Sequence, residues 1–132
     1  MNATDGRVHV MVVDDQQPFR VAARDVIERS TGFDVIGEAE SGEQAVTMVS
    51  ELQPDLILMD INMGGMDGIE ATARITSMYP SIVVVLVSTY DLADLPPTAR
   101  TSGAAAYVNK DDFGRRLLRR LWEQSGDPDF PR

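Results

Sequence analysis

Five short apolar runs, each followed by a stretch with helical spacing, constrain the fold of this chain more than any other feature. Most of the runs are nearly continuous and rich in β-branched residues, which is typical of strands that are buried on both faces. They lie at residues 8–13, 33–37, 56–59, 82–87 and 105–108. Strands that alternate with helices in this way predict an α/β domain, with a parallel sheet and helices on both of its faces.

The stretches between the runs place apolar residues three and four positions apart, which predicts helices. We expect them at residues 17–30, between an N-cap at Ser41 and a stop at Gln53-Pro54, at 69–78, at 91–102 and at 111–122. Two consecutive prolines, Pro96 and Pro97, lie within the fourth of these stretches. Because proline lacks a backbone N–H group and disfavours helical geometry in the residue before it, we expect a regular helix there only after this pair.

The length and composition restrict the class of protein. With 132 residues there is room for one domain, which we expect at 8–123, between an N-terminal tail at 1–7 and a C-terminal tail or start of a linker at 124–132. No apolar run approaches the ~18 residues that a membrane span needs. The polar N-terminus also lacks the pattern of a signal peptide. We therefore expect no membrane contact and a cytoplasmic location.

The counts of particular residue types exclude several functions. The absence of cysteine excludes disulfides and thiolate metal sites, and a single histidine excludes a pair of histidine ligands. Twelve basic residues against 21 acidic ones argue against binding of nucleic acid by this chain alone.

Polar side chains follow four of the five predicted strands. In a doubly wound parallel sheet the functional site lies outside the carboxyl ends of the strands. The side chains found at those ends are Asp14, Asp15, Asp60, Ser88, Thr89, Asn109 and Lys110. They are far apart in sequence, but the predicted sheet brings three carboxylates, a hydroxyl group and one ammonium group to the same edge.

The three carboxylates, Asp14, Asp15 and Asp60, predict a metal site. Carboxylates side by side repel one another unless a cation neutralises them, and oxygen ligands without cysteine or histidine favour a hard cation such as Mg²⁺. A carboxylate in such a site can attack a phosphoryl group and carry it as an acyl phosphate, while Mg²⁺ and the Lys110 ammonium stabilise the transferring oxygens. Taken singly, each residue has a plainer interpretation as a loop, capping or surface group. Their joint position at the strand ends favours a shared site.

Four segments of the sequence resemble the receiver domain of bacterial two-component response regulators. They are residues 12–15 (VVDD), 60–68 (DINMGGMDG), 87–89 (VST) and 103–110 (GAAAYVNK), and the resemblance extends over residues 8–122. Residues 88–91 and the absence of a proline after Lys110 look closest to receivers of the LuxR type, which usually carry a helix-turn-helix output domain. The resemblance implies a flavodoxin-like three-layer fold with a five-stranded parallel sheet in the order 2-1-3-4-5.

The resemblance also implies roles for the residues at the strand ends. Asp60 would be the phosphoacceptor, which receives a phosphoryl group from a histidine kinase. Asp15, Asp60 and the backbone carbonyl group of Asn62 would bind Mg²⁺, with Asp14 acting mainly through a metal-bound water. Lys110 would pair with the phosphoryl oxygens. A domain of this kind is a phosphoryl acceptor and not an enzyme.

The same resemblance implies a switch. Ser88, with the neighbouring Thr89, would move towards the phosphoryl group, and Tyr107 would turn inward behind it, which couples the site to the last two β/α units. Two features depart from the family pattern. Gly64 stands where the family usually has proline, which predicts a more flexible loop after Asp60, and the proline pair interrupts the helix that usually moves on activation. The output domain of the family is absent from this sequence. Whether a DNA-binding domain follows these residues in a longer protein stays open.

Four arginines, Arg115, Arg116, Arg119 and Arg120, form a basic face on the last predicted helix. A solvated surface is one explanation. A contact with an acidic partner or with a second copy of the chain is the other, because like charges four residues apart destabilise a helix unless something opposes them. A homodimer therefore stays open, whereas DNA binding by these arginines on a chain with a net charge of −9 is not expected.

Two other functions stay open at this point. One is an atypical receiver that binds a partner without phosphorylation, for which Gly64 and the proline pair are the only hints. The other is a phosphatase with an aspartate nucleophile, which also uses clustered aspartates and Mg²⁺. Such enzymes usually show a DxD pattern after the first strand, whereas Asp14-Asp15 is followed here by Gln16. This spacing favours the receiver.

Overall fold

Strands and helices alternate along most of the chain, as the apolar runs predict. The computed structural model describes residues 6–124. Its strands are β1 (Val8–Val13), β2 (Phe33–Ala39), β3 (Leu56–Asp60), β4 (Val83–Ser88) and β5 (Ala106–Asn109). Its α-helices are α1 (Gln17–Glu28), α2 (Gly42–Leu52), α3 (Gly68–Met78) and α4 (Arg115–Gln124). All neighbouring strands are parallel, in the order β2-β1-β3-β4-β5, so the predicted doubly wound, flavodoxin-like fold is confirmed.

The side chains of each central strand point alternately to the two faces of the sheet, and both faces are covered. In β1, Met11 and Val13 pack on the side of α2 and α3, whereas Val10 and Val12 pack on the side of α1 and α4. The same alternation continues in β3 and β4. Because both faces are buried, these strands have no polar face, which explains why their runs are nearly continuous in apolar residues.

Short-range interactions define the starts of the helices near the functional edge of the sheet. The side chain of Ser41 accepts a hydrogen bond from the N–H of Gln44 at 3.1 Å and caps α2, as predicted. Asp67 caps α3 in the same way, through the N–H of Glu70 at 2.8 Å. Helix α1 has no side-chain cap, but Pro18 lies in its first turn, where the missing N–H group is not needed.

The regular helix that we expect within residues 91–102 is absent, and this prediction is wrong. The stretch instead contains two short 3₁₀ turns, Leu92–Asp94 and Pro97–Ala99. Pro96 is extended, with a ψ of 140°, because the ring of Pro97 disfavours helical geometry in the residue before it. Gly103, with a φ of 95°, turns the chain shortly afterwards. The few residues between Pro97 and Gly103 are too short a segment for a stable α-helix.

The last helix begins later than predicted. Residues Lys110–Asp112 form a 3₁₀ turn, and α4 starts only at Arg115. The side chain of Asn109 accepts a hydrogen bond from the N–H of Asp111 at 2.9 Å and caps this short turn. Phe113 then adopts an extended conformation, with a ψ of 125°, which separates the turn from the helix.

The remaining predicted elements agree with the structure closely, and their bounds differ only at the ends. The predicted tails at 1–7 and 124–132 fall almost wholly outside the described residues. Within residues 6–124, no helix combines the length and the apolar character that crossing a bilayer requires.

Candidate functional site

The carboxyl edge of the sheet brings the predicted site residues to one place. Asp60 is the last residue of β3 and Ser88 is the last residue of β4, while Asp14 and Lys110 directly follow β1 and β5. These four strands are neighbours in the sheet, so chain segments that are distant in sequence meet at this edge. Asp14, Asp60 and Ser88 are buried there, although all three are polar.

Three carboxylates form the centre of the site. One oxygen atom of each of Asp14, Asp15 and Asp60 lies within 4.8 Å of the others, and of the three only Asp15 is exposed. The backbone N–H of Gln16 donates a hydrogen bond to Asp14 Oδ1 at 2.8 Å and orients that carboxylate. The other oxygen, Asp14 Oδ2, pairs with the ammonium group of Lys110. A cluster of carboxylate oxygens is the ligand type that hard divalent cations take.

Lys110 supplies the positive charge of the site. Its Nζ atom lies 2.7 Å from Asp14 Oδ2 and 3.4 Å from Asp60 Oδ1. The side chain is only 11% exposed, so salt screens these contacts weakly. One ammonium group cannot balance three ionised carboxylates. The charge of the site therefore favours a further cation.

The pKa of Asp60 reflects this crowding. Burial, and then the negative charge of Asp14, raise the pKa from 3.8 to about 6, although Lys110 acts in the opposite direction. The charged form is disfavoured because the buried carboxylate has lost most of its hydration. At neutral pH the group is mainly ionised, yet it is more basic than an ordinary aspartate. A carboxylate perturbed in this way is a candidate for a functional role.

Ser88 and Tyr107 lie on the β4–β5 side of the site. The hydroxyl oxygen of Ser88 accepts a long hydrogen bond, at 3.4 Å, from the N–H of Tyr90. The hydroxyl group of Tyr107 is within hydrogen-bonding distance of two carbonyl oxygens, that of Ser88 at 3.2 Å and that of Tyr90. Burial raises the pKa of Tyr107, so its phenol remains protonated and can donate. Thr89 is exposed and makes no side-chain hydrogen bond with any residue of 6–124.

Tyr90, for which the sequence suggested no role, connects two parts of the edge. Its hydroxyl group donates a hydrogen bond to Asn62 Oδ1 at 3.4 Å, and its carbonyl oxygen accepts one from Asn109 Nδ2 at 3.2 Å. Asn62 itself is exposed, two residues after the buried end of β3. No motif could indicate this contact, because Tyr90 and Asn62 are 28 residues apart and meet only when β3 and β4 lie side by side.

The loop between β3 and α3 is shaped by contacts that the sequence did not reveal. A Cβ atom at Gly68 would lie 1.8 Å from the carbonyl oxygen of Asp60, so a glycine is required there. The N–H of Met66 donates a hydrogen bond to Glu43 Oε2 at 3.1 Å, which ties the loop to α2. Hydrogen bonds from the backbone N–H groups of Glu43 itself and of Met66 lower the pKa of this carboxylate. At Gly64, by contrast, a Cβ atom would meet nothing within 4 Å.

The predicted arginine face lies along α4, and its members differ. Arg115, Arg116 and Arg120 are exposed and form no ion pair with the described residues. Arg119 donates a hydrogen bond to the carbonyl oxygen of Thr31 at 2.5 Å and stacks on an aromatic ring of β2. The four arginines line an open cleft of about 1250 Å³. One of the four is therefore held by the fold, while three remain available for a contact.

The sequence of the chain matches a known protein family. A family model described as the response regulator receiver domain matches residues 10–121 of the chain. The chain belongs to this family. The three carboxylates, Ser88 and Lys110 of the receiver domain all lie within the matched residues.

The curated relatives that this chain matches are longer proteins. The receiver domain is 33% identical over 107 residues to the transcriptional regulatory protein DegU of Brevibacillus brevis, covering 81% of this chain and 45% of the relative. The chain spans about half the length of the curated relatives it matches.

Solved structures agree with both the fold and the predicted group. The receiver domain of the response regulator NarL from Mycobacterium tuberculosis has a TM-score of 0.82 at 29% identity, covering 92% of this chain and 98% of that one. A two-component response regulator of the LuxR family from Aurantimonas sp. SI85-9A1 has a TM-score of 0.82 at 27% identity, covering 94% of this chain and 92% of that one. The predicted likeness to the LuxR type is therefore confirmed.

Proposed function

We propose that this receiver domain accepts a phosphoryl group from a histidine kinase onto Asp60, in the cytoplasm, and that the acyl phosphate changes the surface formed by the last two β/α units. One observation carries the proposal. The buried carboxylate of Asp60 is flanked by Asp14 and Asp15 and lies 3.4 Å from the ammonium group of Lys110. A buried and unusually basic carboxylate beside a fixed cation is suited to attack a phosphoryl group.

In the transfer, a carboxylate oxygen of Asp60 attacks the phosphorus atom of a phosphohistidine on the kinase. The new P–O bond forms as the P–N bond breaks, and the electron pair of the P–N bond leaves with the imidazole nitrogen. The ammonium group of Lys110, already beside Asp60, pairs with a phosphoryl oxygen as charge develops. The hydroxyl group of Ser88 donates a hydrogen bond to another phosphoryl oxygen. Together, these residues make the domain an acceptor of phosphoryl groups.

The same carboxylates fit a Mg²⁺ ion. Their donor atoms are all oxygens, and one oxygen of each lies within 4.8 Å of the others. In our proposal Asp15, Asp60 and the backbone carbonyl group of Asn62 hold the ion, while Asp14 acts through a metal-bound water. Bound there, Mg²⁺ supplies positive charge against the carboxylates and the phosphoryl oxygens.

The switch in this proposal runs from Ser88 to Tyr107. A movement of Ser88 towards the phosphoryl group shifts the end of β4, and Thr89 moves with it. The hydroxyl group of Tyr107 contacts the carbonyl oxygens of both Ser88 and Tyr90, so it loses its partners when this segment moves. Tyr107 is half-buried in the edge strand β5, and its inward turn changes the surface there. A local change of charge is thereby transmitted to β5 and α4.

The arginines of α4 are our candidate contact surface for an acidic partner. Arg115, Arg116 and Arg120 form no ion pair with the described residues, and the net charge of the chain is −9, so a second copy carries an excess of acidic groups to oppose them. Replacement of Arg116 and Arg120 by glutamate is expected to weaken self-association in sedimentation velocity, and association that is unchanged would exclude this face from a homodimer.

We propose no binding of nucleic acid by this chain alone. A DNA-binding output domain belongs to the proposal only for a longer protein of the length of the relatives.

A phosphorylation-independent interaction module is the second candidate function. The irregular stretch 91–102 favours it, because the family resemblance implies a helix there that moves on activation. Partner binding that is the same in wild type and Asp60→Asn, with and without a phosphoryl donor, would support this alternative.

Acetyl phosphate with Mg²⁺ tests the proposed function. We expect the wild-type domain to gain one phosphoryl group, measured by intact-protein mass spectrometry, and Asp60→Asn to gain none. Asp67→Asn is the matched control, because Asp67 is the exposed N-cap of α3 and asparagine caps a helix equally well. A folded wild-type domain that takes up neither phosphoryl nor beryllofluoride contradicts the proposal, and so does an adduct that persists in Asp60→Asn.

A further inference from the structure

We infer that Phe19 is a positioning residue whose ring holds the ammonium group of Lys110 beside the carboxylates. The Nζ atom of Lys110 lies over the Phe19 ring, 4.7 Å from its centre. An ammonium group at this distance is attracted by the negative charge on the face of the ring. The ammonium group of Lys110 therefore has one favourable contact that does not involve a carboxylate.

The polar contacts of Lys110 change during the proposed reaction, whereas the ring does not. In the resting domain the ammonium group lies between Asp14 and Asp60, and Gln16 Oε1 is 3.5 Å away, which is long for a hydrogen bond. A cation bound to the carboxylates weakens their attraction for Lys110, and phosphorylation of Asp60 replaces one of them. The attraction to the ring of Phe19 is unaffected by either change, so the ring keeps the ammonium group where the phosphoryl oxygens arrive.

Phe19 is itself attached to the site through the start of α1. The backbone N–H of Gln16 donates to Asp14 Oδ1 at 2.8 Å, and the carbonyl oxygen of Gln16 accepts a hydrogen bond from the N–H of Phe19 at 3.1 Å. The guanidinium group of Arg20 donates to the carbonyl oxygen of Asp14 at 2.7 Å. The helical turn that carries the ring is therefore fixed to the same aspartate that pairs with Lys110.

The ring is held from the lysine side as well. The N–H of Phe113 donates to the carbonyl oxygen of Lys110 at 3.3 Å, and the ring of Phe113 lies 6.3 Å from that of Phe19, tilted by 53°. Tilted aromatic pairs at this distance attract one another. The turn that carries the lysine thus also supports the ring on which the lysine rests. Since the Lys110 side chain is only 11% exposed, water weakens the contact with the ring very little.

The contact between ring and ammonium group can be observed without any phosphorylation. Lys110 is the only lysine in the sequence, so selective ¹³C,¹⁵N-lysine labelling gives one side-chain signal in NMR. We expect the protons next to Nζ to be shielded by the ring in wild type. Phe19→Leu keeps an apolar side chain but should abolish the shielding, whereas Phe19→Tyr should keep it. Phe33→Leu, which removes a ring that stacks on Arg119, is the control and should leave the signal unchanged.

The effect on the reaction rests on the proposed function and is measured separately. We expect Phe19→Leu to slow the formation of the Asp60 adduct from acetyl phosphate about two- to tenfold, and Phe19→Tyr to restore the rate. Shielding that is absent in wild type, or that survives Phe19→Leu in folded protein, overturns the inference. Equal loss of rate in the Leu and Tyr variants also overturns it. If wild type forms no adduct while the shielding depends on Phe19, the proposed function has failed and the contact is supported by the shielding.

Discussion

Gly68 and Asp60 are in direct backbone contact at the base of the site. A Cβ atom at position 68 would lie 1.8 Å from the carbonyl oxygen of Asp60 and 3.0 Å from the Cα atom of Ile61. The N–H of Gly68 also donates to the carbonyl oxygen of Ile61 at 2.9 Å, which joins the start of α3 to the end of β3. The backbone of the phosphoacceptor candidate therefore cannot shift without moving α3.

Gly68→Ala is expected to lower the free energy of unfolding by about 3 kcal/mol or more, because backbone must move to admit the methyl group. We also expect acetyl phosphate to phosphorylate less Asp60 in this variant than in wild type. The matched control is Gly64→Ala, which has open space around it and no positive φ. That change should alter the stability by less than about 1 kcal/mol. Urea unfolding measures both, and a Gly68→Ala variant as stable as wild type would show that the contact is not rigid.

Asp60→Asn is expected to stabilise the metal-free domain at neutral pH. The folded-state pKa of Asp60, about 6, lies above its ordinary value of 3.8, so the folded state binds the proton more tightly than the unfolded state does. Protonation of Asp60 stabilises the folded state fully below about pH 4, and this stabilisation is lost as the pH rises through about 6. Asparagine does not ionise, so the variant avoids this loss, which is roughly 3 kcal/mol.

Urea unfolding of both proteins in EDTA, at pH values between about 4 and 7, measures this difference. The advantage of Asp60→Asn should grow as the pH rises across that window. Asp67→Asn, which removes an exposed carboxylate, serves as the comparison. An advantage of Asp60→Asn that is the same at every pH would show that ionisation of Asp60 is not its cause.

Mg²⁺ is expected to raise the melting temperature of the wild-type domain at neutral pH. A ligand that binds only the folded state adds about 1.4 kcal/mol of stability at a free concentration tenfold above its Kd. EDTA should reverse the shift. Asp15→Asn should reduce it, and because Asp15 is exposed, this change leaves the core intact. Differential scanning fluorimetry measures the shift, and an equal shift in wild type and Asp15→Asn would place the ion elsewhere.

Tyr107→Phe is expected to lower the free energy of unfolding by about 1 kcal/mol, because the carbonyl oxygen of Ser88 loses a hydrogen-bond donor. Tyr79→Phe is the control. Tyr79 is also half-buried, and its hydroxyl group has no hydrogen-bond partner among the described residues. Chemical unfolding should therefore separate the two variants. Equal stabilities would mean that the Tyr107 hydroxyl group contributes nothing to the resting state.

The fold class and the central residues of the candidate site could be predicted from the sequence. Apolar runs without a polar face must be covered on both sides, which requires helices on both faces of the sheet. Asp14, Asp60 and Lys110 come directly at or after strands, so a parallel sheet places them at one edge whatever the details of packing. The strand order depended on the family resemblance, because alternation alone does not specify which strands are neighbours.

Two local predictions were wrong where short-range chemistry competed with the apolar pattern. The spacing at 91–102 favours a helix, but the fixed geometry of Pro96-Pro97 and the turn at Gly103 leave only 3₁₀ turns. The spacing at 111–122 favours a helix from its first residue, but the extended conformation of Phe113 ends a short 3₁₀ turn, and α4 starts only after it.

By itself, then, the sequence determined the class of fold, the family motifs and the carboxylates at the strand ends, since each depends on local pattern and on the direction of the strands. Only the tertiary structure decided which side chains touch. The bond from Tyr90 to Asn62 joins residues 28 positions apart, and Lys110 reaches Gln16 from 94 positions away, beside the ring of Phe19. Contacts of this kind depend on how neighbouring strands align and on where the side chains of packed helices point, which is a property of the whole domain and not of any segment.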